Sequence, residues 1–139
     1  MKTLGTLIKL ASAEVDEKRL VLRAEQERED AIKAALADLE ASLATERQTA
    51  GELGEAAYAY AAFGAAAMRR REALQEDLLR AGAAVETARD ALSACYERQK
   101  RYEITDAGRR RRDAAEIRRR ETIDADERSL QRHGWRRRG

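Results

Sequence analysis

From Leu4 to Tyr102 one apolar stripe recurs at alternating steps of four and three residues. It takes in Leu4, Ile8, Ala11, Val15, Leu22, Ile32, Leu36, Leu39 and Leu43, then Ala50, Leu53, Ala57 and Tyr60. It continues through Ala67, Leu74, Leu78, Ala81, Val85, Ala88, Leu92, Cys95 and Tyr102. Of its 29 positions 22 are apolar, where the overall 43% apolar content gives about 12 or 13 by chance. Lys18, Glu25, Glu29, Glu46, Gly64, Arg71 and Gln99 are the exceptions. A repeat of 3.5 residues keeps one stripe facing a partner only when helices wind on one another. The expected fold is all-α and coiled-coil.

Composition supports long helices over a globule. Charged residues make up 39% of the 139, aromatics 4%, and there is no proline. Such a mixture also describes solvated disordered chains, but these have no sustained seam. The net charge is only +2 and is unevenly spread. Residues 100–139 hold 14 basic and 8 acidic side chains, a net +6, leaving −4 for the first 99. A mildly acidic coiled coil therefore ends in a basic arm, an asymmetry that points to a binding end. The single cysteine, Cys95, lies on the seam, where it reads as a small buried apolar residue. Met1-Lys2 and Ala11-Ser12-Ala13 imitate an export signal, yet Lys9 breaks the apolar run and the segment is in frame with the seam. No run approaches the ~20 apolar residues of a membrane span.

Taken in order, the chain predicts helix 1 over about 4–49, a bend at 50–54, helix 2 over about 55–130 and a frayed tail at 131–139, as one domain. Gly51 and Gly54 are the close pair of glycines that suggests the bend, and Glu52 and Glu55 suit the first turn of a new helix. Reflection about 52.5 sets Leu4 opposite residue 101, close to where the seam fades after Tyr102. The predicted architecture is a long antiparallel two-helix hairpin with a C-terminal overhang. Gly64 is a competing bend site. One unbroken helix dimerising in parallel is the other rival, because the seam stays in frame across both glycines. At ~1.5 Å per residue that dimer would span roughly 200 Å, against about 110–120 Å for the hairpin. Between Gln26 and Asp30 the seam weakens, either as a local defect or as a contact for another molecule.

Two stretches are candidates for partner binding. Residues 56–67 are apolar all round and carry Tyr58, Tyr60 and Phe63, more apolar surface than a two-helix hairpin covers. Beyond Tyr102, arginine runs at 109–112 and 118–120 wrap a helix with only Ile104, Ile117, Ile123 and Leu130 as apolar points. Acid-first pairs at i,i+4, Asp106–Arg110, Glu116–Arg120 and Asp124–Arg128, each add ~0.2–0.5 kcal/mol to such a helix. Trp135 stands in the expected tail as an anchor or a loose end.

Catalytic chemistry is missing. The sequence has no phosphate-cradling glycine loop, no His-Glu-x-x-His, no nucleophile elbow and no cysteine pair, and its only histidine is His133. A thin coiled coil also lacks the concave pocket in which an acid or base is tuned. The expectation is a non-enzyme with no cofactor, no metal and no small-molecule substrate.

The opening Thr6-Leu7-Ile8-Lys9-Leu10-Ala11-Ser12-Ala13-Glu14-Val15-Asp16 resembles the N-terminal Leu…Leu-Ala…Glu-Val-Asp pattern of the FliJ/YscO family, small stalk proteins of flagellar and injectisome type III export. Tyr60-Ala61-Ala62-Phe63 is similar to the Tyr…Phe pair that begins the family's second helix, and Arg118 to Glu127 resembles its charged C-terminal stretch. The resemblance implies a cytoplasmic coiled coil at the inner membrane's cytoplasmic face, similar to the central shaft of a rotary ATPase. It implies one end inserted in a hexameric export ATPase and the bend end directed at the export gate, a membrane protein; some members also escort export chaperones. Carried over by position, gate-facing residues would be Ala35, Leu39, Ser42 and Glu46 on the first helix, with Phe63, Ala67, Arg70 and Leu74 on the second. Tyr60 joins them from the apolar stretch. Ser42 and Glu46 stand where the family has aromatics, which puts the first-helix half of that surface in doubt. Arg109, Arg110, Arg111, Arg112, Arg118, Arg119 and Arg120 are the candidates for the ATPase ring.

Two other functions compete. Nucleic-acid binding by the arginine arm is disfavoured by its eight interleaved acids and by the lack of stacking aromatics among the arginine runs. A generic scaffold is the second, its membrane-surface version disfavoured because the arginines surround the helix.

Overall fold

A computed structural model describes residues 3–52 and 57–138, with side chains for all of these except Ala50, Glu52, Ala57, Tyr58 and 135–138. Every described residue but Thr3 is helical. Helix α1 runs Leu4–Glu52 and helix α2 runs Ala57–Arg138. Thr3 starts α1: its hydroxyl accepts from the Thr6 amide at 3.2 Å and its carbonyl from the Leu7 amide at 3.1 Å. Those bonds occupy backbone donors that a helix start otherwise leaves unmet. Nothing in the composition breaks the helices afterwards, since Ala, Leu, Arg and Glu are the best helix formers and proline is absent.

Both helices outrun the boundaries read from sequence. Ala50, Gly51 and Glu52 belong to α1, so the expected bend at 50–54 is displaced, and Leu53 and Gly54 lie outside the described residues. The tail from 131 is helical to Arg138, Gly134 included; Trp135 lies outside the described side chains. A single glycine costs a helix about 1 kcal/mol, too little to end one with good formers on both sides. Gly64, the competing bend site, sits inside α2. The unbroken-helix dimer fails too, since α1 and α2 are separate helices packed on each other.

The chain divides into two compact units. One comprises residues 13–96, where the helices run antiparallel: Arg71 Nε meets Glu40 Oε1 at 3.0 Å and Gly82 faces Glu29. These two levels set the mirror point of the pairing between residues 55 and 56, later than the reflection about 52.5. A slide of almost one heptad leaves the same stripes facing, so periodicity chooses the face while polar pairs choose the level. Val15, Ala67, Leu74, Ala81, Val85, Ala88 and Cys95 are buried, and all stand on the seam. Of the seam's described members only Glu46 is exposed. Arg19 lies 5.1 Å from the centre of the Tyr96 ring and donates to its hydroxyl, joining the helices by a cation–π contact and a hydrogen bond.

The other unit comprises residues 1–12 and 97–139. Ala11 is its buried residue, with Leu4, Ile8, Gln99, Tyr102, Asp106 and Gly108 half-buried. Thr3, Leu4 and Gly5 share a cleft with Asp106, Arg109 and Arg110, so the start of α1 reaches further along α2 than the expected residue 101. From Ile117 to Gly134 every side chain is exposed.

Candidate partner-binding surfaces

In the unit that holds the end of α2, all seven candidate arginines are exposed. They do not share one state. Arg110 reaches Asp106 at 3.1 Å, while Arg119 and Arg120 converge on one Glu116 oxygen at 3.1 and 3.4 Å. Asp124 and Arg128, expected to pair, make no ion pair among the described residues. Arg109, Arg111, Arg112 and Arg118 have no carboxylate partner among the described residues. The cleft of about 480 Å³ at the foot of α1 is lined by two arginines, Arg109 and Arg110, and two acids, Asp106 and Asp113. Its charges cancel. What remains is four uncommitted guanidiniums carried on a solvated helix, able to bond carboxylates on an opposing surface.

The second candidate surface lies in the other unit, toward the ends of α1 and α2 nearest the bend. Its nine sequence-predicted members fall into three groups. Ala67 and Leu74, 4% and 5% exposed, are spent on packing against α1. Ala35, Leu39, Tyr60 and Phe63 are half-buried, each with an open edge. Ser42, Glu46 and Arg70 are fully accessible. Tyr58 lies outside the described side chains. The structure therefore offers seven of the nine to a partner and reserves two for the seam.

Next to these residues is a notch of about 290 Å³ that sequence reasoning missed. Leu43, Ala44, Gly64 and Met68 make its apolar lining; Tyr60, Arg47, Arg71 and Glu40 frame it. Arg47 Nε donates to the Tyr60 hydroxyl at 3.3 Å, which holds the Arg47 guanidinium above its ordinary pKa. Gly64 was the available signal: a glycine on the apolar seam yet inside a helix. Reading it required the register that brings Leu43 and Arg47 to its level.

The weak stretch of seam around Gln26 has a packing basis. A Glu29 oxygen lies 3.5 Å from where a Cβ on Gly82 would stand, and Lys33 pairs with the other Glu29 oxygen at 3.3 Å. One Glu25 oxygen, Oε2, is buried with no hydrogen-bond partner among the described residues. Among the described residues no cluster of His, Cys, Asp or Glu is placed to hold a metal ion.

The family profile of the flagellar FliJ protein matches residues 1–138. The chain belongs to the FliJ family. Membership ties it to flagellum biogenesis and type III protein export and agrees with the two packed helices and the absence of strands among the described residues. FliJ proteins serve that apparatus as non-catalytic stalk components. No curated protein and no solved structure matches the chain. No helix among the described residues is long and apolar enough to cross a membrane.

Proposed function

We propose that this FliJ-family chain is the coupling stalk of a flagellar-type export apparatus: the end of α2 enters a hexameric export ATPase, and the bend-proximal surface contacts the export-gate membrane protein at the cytoplasmic face of the inner membrane. One observation carries the ATPase half. Alpha-helix α2 continues with every side chain exposed from Ile117 to Gly134, and Arg109, Arg111, Arg112 and Arg118 have no carboxylate of their own chain to bond among the described residues. A helix presenting guanidiniums on several sides suits a surrounding ring of acidic loops better than one flat partner. The gate half is supported by the accessible edges of Leu39, Tyr60 and Phe63 beside Arg70. Export chaperones are a further partner class that the family likeness suggests.

The test is ATP hydrolysis by the export ATPase with and without the stalk. Reversing Arg109, Arg111, Arg112 and Arg118 to Glu should remove the stimulation, while Arg119→Glu, already committed to Glu116, should cost less. Stimulation that survives the quadruple reversal rejects this placement of the ring contact. Nucleic acid is the weaker partner for the same arm, because three of its seven arginines are paired with acids of the same helix. A titration with mixed-sequence DNA and RNA should show no salt-sensitive binding.

A further inference from the structure

Two glycines interrupt the middle of α2, and only one has a reason in the packing. Gly82 is small because Glu29 occupies the space beside it, 3.5 Å from a would-be Cβ. Gly64 has nothing within 4 Å of that position. Nor does its backbone need a glycine, since no glycine among the described residues has positive φ. It holds a seam position in a helix, where glycine is the least favourable residue after proline. A larger apolar side chain there would both help the helix and fill the seam. The chain instead keeps a hole.

The hole is the floor of the notch between α1 and α2, with Leu43 and Ala44 on one side and Met68, 53% exposed, at its mouth. At about 290 Å³ it falls below the range of small-molecule sites and suits one side chain. Apolar anchors seated in such pockets dominate protein interfaces, and an exposed methionine adapts to the shape of what enters. The polar frame restricts the anchor's neighbours. Arg71 is committed to Glu40 at 3.0 Å, whereas Arg47 has only the neutral Tyr60 hydroxyl and no carboxylate among the described residues. On helical spacing Gly64 and Met68 lie on one flank of Ala67, with Phe63 and Arg70 on the other.

We infer that the notch is a socket for one large apolar side chain of the export-gate protein, with a neighbouring carboxylate of that protein bonding Arg47, so that the gate contact straddles the seam from the Phe63 flank across Tyr60 to the Met68 flank. The inference rests on the proposed gate contact and gives it an anchor. It makes Gly64 a specificity-determining vacancy.

The experiment measures affinity of the full chain for the detergent-solubilised gate protein, beside thermal unfolding of each variant. Gly64→Leu fills the socket from within. Its unfolding midpoint should equal or exceed that of the parent while gate affinity falls about tenfold or more. Met68→Glu, at an exposed position that tolerates charge, should cause a similar loss; it serves if Gly64→Leu misfolds. Arg47→Gln should cost about threefold, as a rim ion pair does. Parental affinity in a well-folded Gly64→Leu overturns the socket; if Phe63→Ala with Arg70→Glu then still weakens binding, the gate contact itself stands. Parental affinity in all of these variants removes both. Loss of self-association in Gly64→Leu, with gate binding intact, assigns the notch to a second copy and likewise overturns the inference.

Discussion

Residues 67–95 and residues 117–134 are both continuous α-helix, but they are helical for different reasons. In the first stretch Ala67, Leu74, Ala81, Val85, Ala88 and Cys95 are buried against α1, at the heptad spacing that keeps a stripe on its partner. In the second, no residue is covered, and the ion pairs that support it come from Glu116 one turn earlier. A buried Val or Leu is worth about 1.5–3 kcal/mol, an i,i+4 ion pair ~0.2–0.5 kcal/mol. Packing therefore dominates where a partner helix exists. Propensity and side-chain pairing must suffice where none does.

The largest effect that separates the two stretches is a charge placed in each. Val85→Asp buries an uncompensated carboxylate and should cost about 3–5 kcal/mol in chemical denaturation, whereas Ile123→Asp, 46% exposed in the parent, should stay within about 0.5 kcal/mol. Equal losses would mean that the end of α2 is covered in solution. A smaller effect has the opposite sign. Glu25→Leu replaces a buried oxygen that lacks a partner and should stabilise the paired stretch by about 1–2 kcal/mol; destabilisation would show that Glu25 finds a bond in solution. Raising salt to about 1 M shortens the screening length to ~3 Å. Amide exchange should then accelerate near residues 116–120 while protection across 81–95 holds or rises. The smallest effect is Glu116→Ala, which frees Arg119 and Arg120 together and should reduce local helix stability by about 0.5 kcal/mol, read by exchange at those amides.

The same contrast explains what was legible in the sequence. Periodicity located every buried side chain, because burial in a two-helix coil is a property of one stripe. It did not locate the level at which the helices meet, since near-heptad slides bury equivalent stripes. The pairs that decide it, Glu40 with Arg71 and Glu29 beside Gly82, look like blemishes in a list of apolar positions. Helix ends were misjudged at Gly51 and Gly134 because glycine permits a stop without compelling one. Among the binding candidates, exposure of the arginine runs was legible from their lack of a seam. The split between Ala67 and Leu74, taken up by packing, and Ser42 and Arg70, left accessible, was not, since gate positions came from family likeness while burial follows the stripe. The notch needed both helices at once: Gly64 alone is an oddity, and only Leu43, Arg47 and Met68 around it make a shape.

The Arg19–Tyr96 contact has a practical corollary. A phenol ring gripped by a guanidinium on the facing helix reports on whether those helices remain together, and it does so without a dye. Parting them would free the ring from its cationic neighbour and change its emission and its reactivity toward nitrating reagents. The chain thus carries a built-in optical witness to separation at that level, distinct from any signal at the far-off bend.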